Sequence, residues 1–236
     1  MKSLFKALDI LEYVFLRNGK NVTPSEAAEA LDVNLVTCTR IMRAWSERGY
    51  LTNVSRKSGY TPGPMIASIG LYENVYHKLA AAAAAPIADL ALQLRRKVNF
   101  SVMHRGKRVK LAWNMGSRVP QSWPIQKLLY APHWMSATGR LLLANMPQAE
   151  AKEILRKEGV TPFPQHELEV IKKSEIVHFE DDKGLEIIGG IVRVPGYPLA
   201  AFGFGVDPER VDEALAATRQ TIKKIKEALN NTEPDY

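Results

Sequence analysis

The N-terminal quarter of the chain consists of apolar stripes with helical spacing, separated by short polar breaks. An apolar residue recurs every three or four positions from Leu4 to Phe15, which predicts a first helix. The segment Thr23 to Glu26 has the order of a capping box with proline at the first helical position, so a short second helix is expected there. A third periodic segment begins at Leu35 after a polar turn, and Gly49 is its expected C-terminal cap.

The third segment has two faces that differ in chemistry. Apolar side chains from Cys38 to Trp45 fall at positions i, i+3, i+4 and i+7 and predict a buried stripe. The opposite face carries hydroxyl and guanidinium groups near the start of the helix, which suit the base edges and phosphates of DNA. These candidate DNA-binding residues are Thr37, Thr39, Arg40 and Arg43. Taken alone, the two arginines are better explained as part of a solvated helix face.

A predicted hairpin follows the third helix and changes that judgement. Tyr50 to Val54 and Tyr60 to Thr61 have the composition of strands, and Ser55 to Gly59 reads as a glycine-containing turn with a basic tip. The tip residues Arg56 and Lys57 are expected to contact phosphates or the minor groove. Three helices followed by a basic hairpin are much more specific than a basic patch, and this order predicts a winged helix-turn-helix that binds DNA.

The remaining chain predicts a connecting helix and a second domain. Residues 64–78 form a predicted linker helix within an alanine-rich helical stretch that extends to Ala85. Pro86 either interrupts the helical pattern or starts another helix. The predicted domains are therefore a winged helix-turn-helix at 1–63, the linker helix at 64–78 and a larger domain at 79–236.

The larger domain mixes strands and helices. Asn99 to Met103 and Arg108 to Trp113 read as strands around a basic turn, and Ile187 to Val194 and Leu199 to Val206 read as a longer apolar hairpin. A final helix with a long apolar stripe is expected after Asp207. The pattern predicts an α+β domain with a mostly antiparallel sheet and helices on one face.

Composition narrows the class of protein. The 236 residues carry a formal net charge of +7, which favours a polyanionic partner without requiring one. No apolar run approaches the roughly 20 residues that a bilayer span needs. The N-terminal segment also lacks the features of a signal peptide, so a cytoplasmic protein without a membrane partner is expected. Cys38 is the single cysteine, which excludes an internal disulfide and a multi-cysteine metal site, and no cofactor is expected.

Two segments of the sequence resemble the IclR family of transcription regulators. Val36 to Arg40, followed by Gly49 to Leu51, is similar to the recognition-helix and pre-wing motifs of that family, with Val36 in place of a serine. Trp134 to Ala144 is similar to the family's stretch that contains a Gly-Lys helix. The resemblance implies a DNA-binding domain, a linker helix and a GAF-like domain for effector binding and oligomerisation, assembled as a homodimer or as a dimer of dimers (a homotetramer).

The resemblance also implies where an effector binds. The corresponding positions are the loop before the Gly-Lys helix, one acidic residue, and three glycines that stand where the family has a cysteine and two serines. Because glycine offers neither a donor nor bulk, the resemblance implies a roomy pocket, which nearby tryptophans would adapt to an aromatic or otherwise bulky organic acid. The candidate effector-binding residues are Trp113, Trp123, Trp134, Ser136, Ala137, Thr138, Glu180, Gly190, Gly203 and Gly205. Close packing explains the glycines and tryptophans equally well.

Three functions remain open from the sequence. The leading one is a transcription regulator, either repressor or activator, whose binding to a double-stranded DNA operator is gated by a small-molecule effector from a catabolic pathway. The second is a constitutive winged-helix DNA-binding protein whose C-terminal domain only oligomerises. The third, an enzyme, is disfavoured because the sequence has no nucleophile elbow, zinc-protease motif or Walker loop.

Overall fold

The computed structural model divides the 236-residue chain into two compact units. It describes residues 2–17, 19–55, 57–70, 74–114, 116, the backbone of 129–130, and 132–231. The described part of the N-terminal unit ends at Gly70, and the C-terminal unit begins at Asn74. Each unit has its own buried apolar core. No helix among these residues is long and apolar enough to span a bilayer.

Helices and a two-stranded antiparallel sheet make up the described part of the N-terminal unit. Its elements are α1 (Lys2–Leu16), α2 (Pro24–Ala30), α3 (Leu35–Glu47), β1 (Leu51–Ser55), β2 (Gly59–Pro62) and α4 (Pro64–Gly70). Three helices followed by a hairpin are the architecture of a winged helix-turn-helix, so the predicted fold of this region is confirmed.

Side-chain caps fix where the short helices of this unit begin. Glu26 Oε2 accepts a hydrogen bond from the backbone N of Thr23 at 2.7 Å, and Thr23 Oγ1 accepts one from the backbone N of Glu26 at 3.2 Å. This is the predicted capping box of α2. At the start of α3, Asn34 Oδ1 accepts hydrogen bonds from the backbone N atoms of Val36 and Thr37. These caps set the first residues of α2 and α3, and the burial of Cys38 and Met42 decides which side of α3 faces outward.

The hairpin is anchored to the helices by a third backbone segment. Val22 and Tyr60 exchange two backbone hydrogen bonds of 2.8 Å. Gly59 permits this approach, because a Cβ atom at this position would lie 2.2 Å from the carbonyl oxygen of Val22 and because its φ is +79°. The glycine of the predicted turn is therefore also a packing requirement.

The described part of the C-terminal unit is built on a six-stranded antiparallel sheet with the strand order β5-β4-β3-β8-β7-β6. Its elements are α5 (Val75–Leu94), β3 (Val98–His104), β4 (Lys107–Asn114), β5 (Leu129–Tyr130), α6 (Ala137–Ala144), α7 (Gln148–Lys157), α8 (Gln165–Lys173), β6 (Ile176–Glu180), β7 (Glu186–Val192), β8 (Ala200–Val206) and α9 (Val211–Asn230). The predicted α+β class with an antiparallel sheet is confirmed.

Helices cover both faces of this sheet, whereas the sequence pattern predicted helices on one face. Phe100 and Phe202 are fully buried on the face that packs against α5 and α9. Ile191 and Ala201 are fully buried on the other face, against α6. Strands β7 and β8 carry apolar residues at consecutive positions, so both faces have to be shielded from water.

The predicted linker helix is two helices. Helix α4 ends at Gly70 and α5 begins at Val75. Asn74 caps α5, since its Oδ1 accepts hydrogen bonds from the backbone N atoms of Tyr76 and His77. The predicted boundary after residue 78 therefore falls inside α5, and the division into compact units lies at Asn74 instead.

Pro86 neither interrupts nor starts a helix, because α5 runs through it. Leu79, Ala83, Ile87 and Leu90 form a buried stripe on both sides of the proline. Burial of this stripe against the sheet and α9 outweighs the roughly 3 kcal/mol that proline costs inside a helix.

Candidate DNA-binding face and effector site

The N-terminal half of α3 presents polar side chains to solvent. Thr37, Arg40 and Arg43 are exposed, while Cys38 and Met42 are fully buried on the opposite side of the helix. The two faces are those predicted from the periodicity. Outward hydroxyl and guanidinium groups near one end of a helix are the chemistry with which helix-turn-helix proteins contact base edges.

Two neighbouring positions on α3 differ from this exposed polar set. Thr39 is half-buried, and its Oγ1 donates a hydrogen bond to the carbonyl oxygen of Leu35 at 2.8 Å. Its hydroxyl can still accept a hydrogen bond, but its proton is engaged by the helix. Val36 is 67% exposed, and an exposed methyl surface at this position suits the methyl group of thymine.

A hollow of about 510 Å³ lies beside this face, between α3 and the first residues of α1. The lining residues are Ser3, Thr37, Arg40, Ile41, Arg43, Ala44 and Glu47. Three of the four predicted base-contacting residues of α3 therefore share one concave surface, which their spacing in the sequence does not establish.

The turn between β1 and β2 presents a further basic position. Lys57 is exposed. The turn is held by Ser55 Oγ, which accepts a hydrogen bond from the backbone N of Ser58 at 2.9 Å. Arg56 lies outside the described residues. An exposed ammonium at the tip of a hairpin suits a phosphate contact.

Polar side chains gather on one face of the C-terminal sheet. The register places Asn99 opposite Trp113, and Ser101 opposite Lys110. Opposed residues project from the same side of a sheet, so these four side chains share a side with Arg108, two residues before Lys110 on β4. Helix α6 packs on this side, which we call the α6 face.

Arg108 connects strand β4 to the start of α6. Its Nη1 donates hydrogen bonds to Ser136 Oγ at 2.5 Å and to Thr138 Oγ1 at 2.6 Å, and its Nη2 donates one to the carbonyl oxygen of Pro132 at 2.6 Å. Ser136 Oγ also caps α6, since it accepts a hydrogen bond from the backbone N of Gly139 at 3.1 Å. Two predicted effector positions are thus held by a buried arginine that the sequence pattern did not indicate, because β4 begins with three basic residues among its first four and only the tertiary structure buries Arg108.

Two lysines add to the positive charge near Arg108. Burial lowers the pKa of Lys110, and repulsion from Arg108 lowers it further. Burial also lowers the pKa of Lys97, which precedes β3, to about 8, with repulsion from Lys110 as the second cause. The three cations form an electropositive cluster in a partly desolvated region, which favours an anion.

Asn99 brings a polar acceptor to the same face. Its Oδ1 atom is buried and accepts no hydrogen bond from any residue in the described ranges. In the register it lies between Trp113 on β4 and Gly203 on β8. Trp113 is 56% exposed, and Lys110 Nζ lies 5.7 Å from its ring centroid. A buried acceptor that lacks a donor, beside an exposed aromatic ring, is typical of a ligand-binding surface.

Gly203 allows α6 to pack directly on the sheet. A Cβ atom at this position would lie 3.0 Å from Cβ of Ala137. At the adjacent Gly189 the corresponding distance to Ala137 Cβ is 2.5 Å. Gly205 is less constrained, since the nearest atom to its Cβ position is Cδ1 of Ile187 at 3.2 Å. Close packing therefore accounts for the glycine at 203, while 205 has more room.

Gly190 lies on the opposite face of the sheet from Gly203. It pairs with Phe202, and a Cβ atom there would lie 2.7 Å from the Phe202 ring and 2.8 Å from Cδ1 of Ile222 on α9. The side chains of a strand point alternately to the two faces of the sheet. An error of one residue in matching the family's effector positions to this chain therefore moves a predicted site residue to the other face. Gly189 faces α6, and the predicted effector position at Gly190 is corrected accordingly.

Glu180 is also not brought to the α6 face. Glu180 is exposed at the end of β6 and is in register with Val206 through β7, which puts it on the side of α9. Trp134 is half-buried under Arg140, whose guanidinium carbon lies 4.2 Å from its ring centroid. Trp123 lies outside the described residues.

A buried contact fixes the loop that leads into α6. Glu158, at the end of α7, accepts hydrogen bonds from the backbone N of His133 at 3.0 Å on Oε1 and 2.8 Å on Oε2. Its Oε1 also contacts Nδ1 of the buried His133 ring. The carbonyl oxygen of His133 in turn accepts a hydrogen bond from the backbone N of Ser136 at 3.2 Å. The sequence pattern gave no sign of this pair, because its members are 25 residues apart.

Comparison of the sequence with family models and with curated proteins gives no match. Comparison of the structure with solved structures gives many matches over nearly the full length. An IclR homolog from Microbacterium hydrocarbonoxydans, solved with 4-hydroxybenzoate, has a TM-score of 0.72 at 15% identity, with 98% of this chain and 100% of that chain covered. An IclR transcriptional regulator from Alicyclobacillus acidocaldarius has a TM-score of 0.68 at 19% identity, with 97% and 99% covered.

The IclR of Thermotoga maritima has a TM-score of 0.62 at 20% identity, with 97% of this chain and 99% of that chain covered. These neighbours are transcription regulators or their homologs, and the likeness spans both units of the chain. The family resemblance seen in the two sequence segments therefore extends to the whole architecture, and the chain has the fold of the IclR-type transcription regulators.

Proposed function

We propose that this protein is a transcription regulator of the IclR type, whose binding to a DNA operator is gated by a small-molecule effector. The observation that carries the proposal is the exposed polar face of α3, where Thr37, Arg40 and Arg43 share one concave surface beside a basic hairpin. The fold shared with IclR regulators supports it, since the neighbours named above are regulators and not enzymes.

The DNA contacts divide into two kinds. Helix α3 enters the major groove, where Arg40 and Arg43 read base edges, with Thr37 and Thr39 beside them. Lys57 and Arg56 on the hairpin contact phosphates or the minor groove. A homodimer, alone or paired with a second one, presents two winged helix-turn-helix domains to half-sites about 34–36 Å apart on a pseudo-palindromic operator.

The effector site of the proposal lies on the α6 face, near Ser136, Ala137, Thr138 and Gly205, with Trp113 as an aromatic wall. The 4-hydroxybenzoate bound by the Microbacterium homolog supports an aromatic acid as the class of effector. The effector acts by differential affinity. It changes operator affinity only to the extent that it binds one arrangement of the two DNA-binding domains more tightly than another.

The DNA part of the proposal is tested by selecting an operator from a random duplex library with the full chain, and then measuring affinity by fluorescence anisotropy. Arg40→Ala is expected to weaken binding and to relax base preference at one position, by about 1–3 kcal/mol. Lys57→Ala is expected to weaken binding to all duplexes. It should also reduce the slope of log affinity against log salt concentration by about one, which corresponds to the loss of one phosphate contact. Arg219→Ala, an exposed position on α9, serves as the control. Selection of no preferred sequence, or equal affinity of all variants, would overturn the assignment.

The second candidate is constitutive DNA binding, with a C-terminal unit that only oligomerises. The packing of Ala137 against Gly189 and Gly203 favours it, because a side chain of the protein itself fills that part of the α6 face. The two candidates differ in one measurement. Under gating, at least one organic acid that stabilises the protein also changes its affinity for the selected operator.

A further inference from the structure

The start of α3 exposes apolar surface next to its basic residues. Val36 is 67% exposed, and Leu35 before it is 48% exposed. Val36 stands at the position where the IclR resemblance has a serine. Valine has no side-chain donor or acceptor, so it contributes to DNA binding only through its two methyl groups. What this position recognises is therefore a property of this chain, which the resemblance does not supply.

Val36 lies in one row with the two arginines of α3. Arg40 follows it by four residues and Arg43 by seven, so the three side chains project from the same face of the helix. Cys38 and Met42 are fully buried on the other side. The first turn of α3 contains no acidic residue. A polyanion that the arginines attract is therefore brought against the methyl groups of Val36.

The position of these methyl groups is fixed by the helix itself. The backbone N of Val36 donates a hydrogen bond to Asn34 Oδ1 at 3.0 Å, which ties the residue to the cap of α3. Valine in a helix has one strongly preferred χ1 rotamer. Covering its surface therefore costs less side-chain entropy than ordering a long and flexible side chain.

The major groove of DNA presents one prominent apolar group, which is the C5 methyl of thymine. The other groups on the base edges are hydrogen-bond donors and acceptors, which a valine cannot satisfy. A recognition helix reads base edges from its N-terminal part, and Val36 is the second residue of α3. Thymine is therefore the base whose edge matches Val36.

The spacing along the helix limits where this thymine lies. Val36 and Arg40 are roughly 6 Å apart along the helix axis, at a rise of about 1.5 Å per residue. Successive bases of a DNA strand are about 3.4 Å apart along the duplex. With the longer reach of the arginine side chain, the thymine falls within about three base pairs of the base that Arg40 contacts.

We propose that Val36 is a specificity-determining residue, whose methyl groups contact the C5 methyl of a thymine in each half-site of the operator. Arg40 forms hydrogen bonds with a base within about three base pairs of that thymine. Val36 distinguishes thymine from the other bases by apolar contact. The inference rests on the DNA-binding part of the proposed function and does not depend on whether an effector gates it.

Replacement of thymine by deoxyuridine tests the contact, because it removes the C5 methyl and leaves the hydrogen-bonding groups of the base unchanged. The operator selected from the random library is synthesised with deoxyuridine at one thymine of a half-site at a time. Affinity for the full chain is then measured by fluorescence anisotropy. At the thymine that Val36 contacts, the wild type is expected to bind about fourfold more weakly, which corresponds to the burial of one methyl group.

A matched pair of valine variants identifies the residue that makes the contact. Val36→Ala removes both methyl groups and retains a good helix former, so α3 is preserved. This variant is expected to bind the thymine operator more weakly, by about fourfold for each half-site, and to bind the deoxyuridine operator no more weakly than that. Val170→Ala, at a 55% exposed valine on α8, is the control and is expected to respond to deoxyuridine as the wild type does.

The outcomes separate this inference from the proposed function. If the selected operator shows a base preference that depends on Arg40, but deoxyuridine weakens binding at no thymine, DNA recognition stands and the role of Val36 is overturned. An effect of deoxyuridine that persists in Val36→Ala also overturns it, because another residue then contacts the methyl group. Selection of no preferred sequence overturns both the proposed DNA recognition and this inference.

Discussion

Arg108 Nη1 lies 2.6 Å from Oγ1 of Thr138, so the guanidinium of a strand residue holds the first turn of a helix. Both side chains are almost fully buried. Strand β4 and helix α6 belong to the face where the effector is proposed to bind, and no backbone hydrogen bond is needed to link them. Through this contact, a ligand that binds next to Arg108 would also affect the position of the first turn of α6.

Replacement of Arg108 tests how much this link contributes. Arg108→Met removes the donors to Ser136, Thr138 and Pro132, and we expect a loss of about 2–3 kcal/mol in the free energy of unfolding, because buried acceptors lose a charged partner. The measurement is urea denaturation followed by circular dichroism. Lys107→Gln is the control and is expected to change stability by less than about 0.5 kcal/mol. Equal stability of both variants would contradict a supporting role for Arg108.

Two glycines on the α6 face are expected to differ in their tolerance of alanine. Gly189→Ala places a Cβ atom 2.5 Å from both Ala137 Cβ and the carbonyl oxygen of Phe202, so we expect a loss of about 1–3 kcal/mol. Gly205→Ala meets the mobile end of Ile187 at 3.2 Å, and the loss should be smaller. Thermal unfolding of the two variants side by side measures the difference. A more stable Gly189→Ala than Gly205→Ala would show that α6 does not pack so closely.

Two substitutions of Asn34, the cap of α3, distinguish effects on the stability of the recognition helix from effects on DNA affinity. Asn34→Ala removes the acceptor for the backbone N atoms of Val36 and Thr37 and should cost about 1 kcal/mol of stability. Asn34→Asp retains the acceptor and should preserve stability, but its negative charge is expected to weaken DNA binding at low salt. Urea denaturation and anisotropy, carried out on the same preparations, distinguish the two effects. Loss of stability in both variants would indicate that the cap is not made by an acceptor alone.

The lowered pKa of Lys97 predicts that the free energy of unfolding depends on pH. Burial, and then repulsion from Lys110, lowers its pKa to about 8 from the usual 10.5. The unfolded chain therefore binds more protons between these two values, so the contribution of Lys97 to stability improves as pH rises through this window, and its cost is fully present below pH 8. Lys97→Met should stabilise the protein at pH 7 by about 1 kcal/mol after allowance for solvent screening, and the gain should vanish as pH approaches 10.5.

Urea titrations of the wild type and Lys97→Met at several pH values give the difference directly. Titration of other groups is common to both proteins and cancels in that difference. A gain that does not change with pH would mean that the methionine stabilises by apolar burial instead of by removing a charge.

The sequence by itself determined the N-terminal unit almost completely. Its helices depend on local interactions such as the capping box of Thr23 and Glu26, and the faces of α3 follow from a helical period that varies little. The two hairpins of the C-terminal unit, β3 with β4 and β7 with β8, were also predictable, because apolar runs on either side of a tight turn form hairpins. These features need contacts only between residues that are near one another in the chain.

Tertiary structure alone decided which residues share the α6 face. Gly190 and Glu180 were predicted to lie at the effector site, but a strand alternates its faces at every residue, so the register between strands settles the side. Arg108 meets Thr138 across 30 residues, and the buried His133 meets Glu158 across 25. Such pairs leave no local pattern, because their energy comes from packing between elements that the sequence does not place side by side.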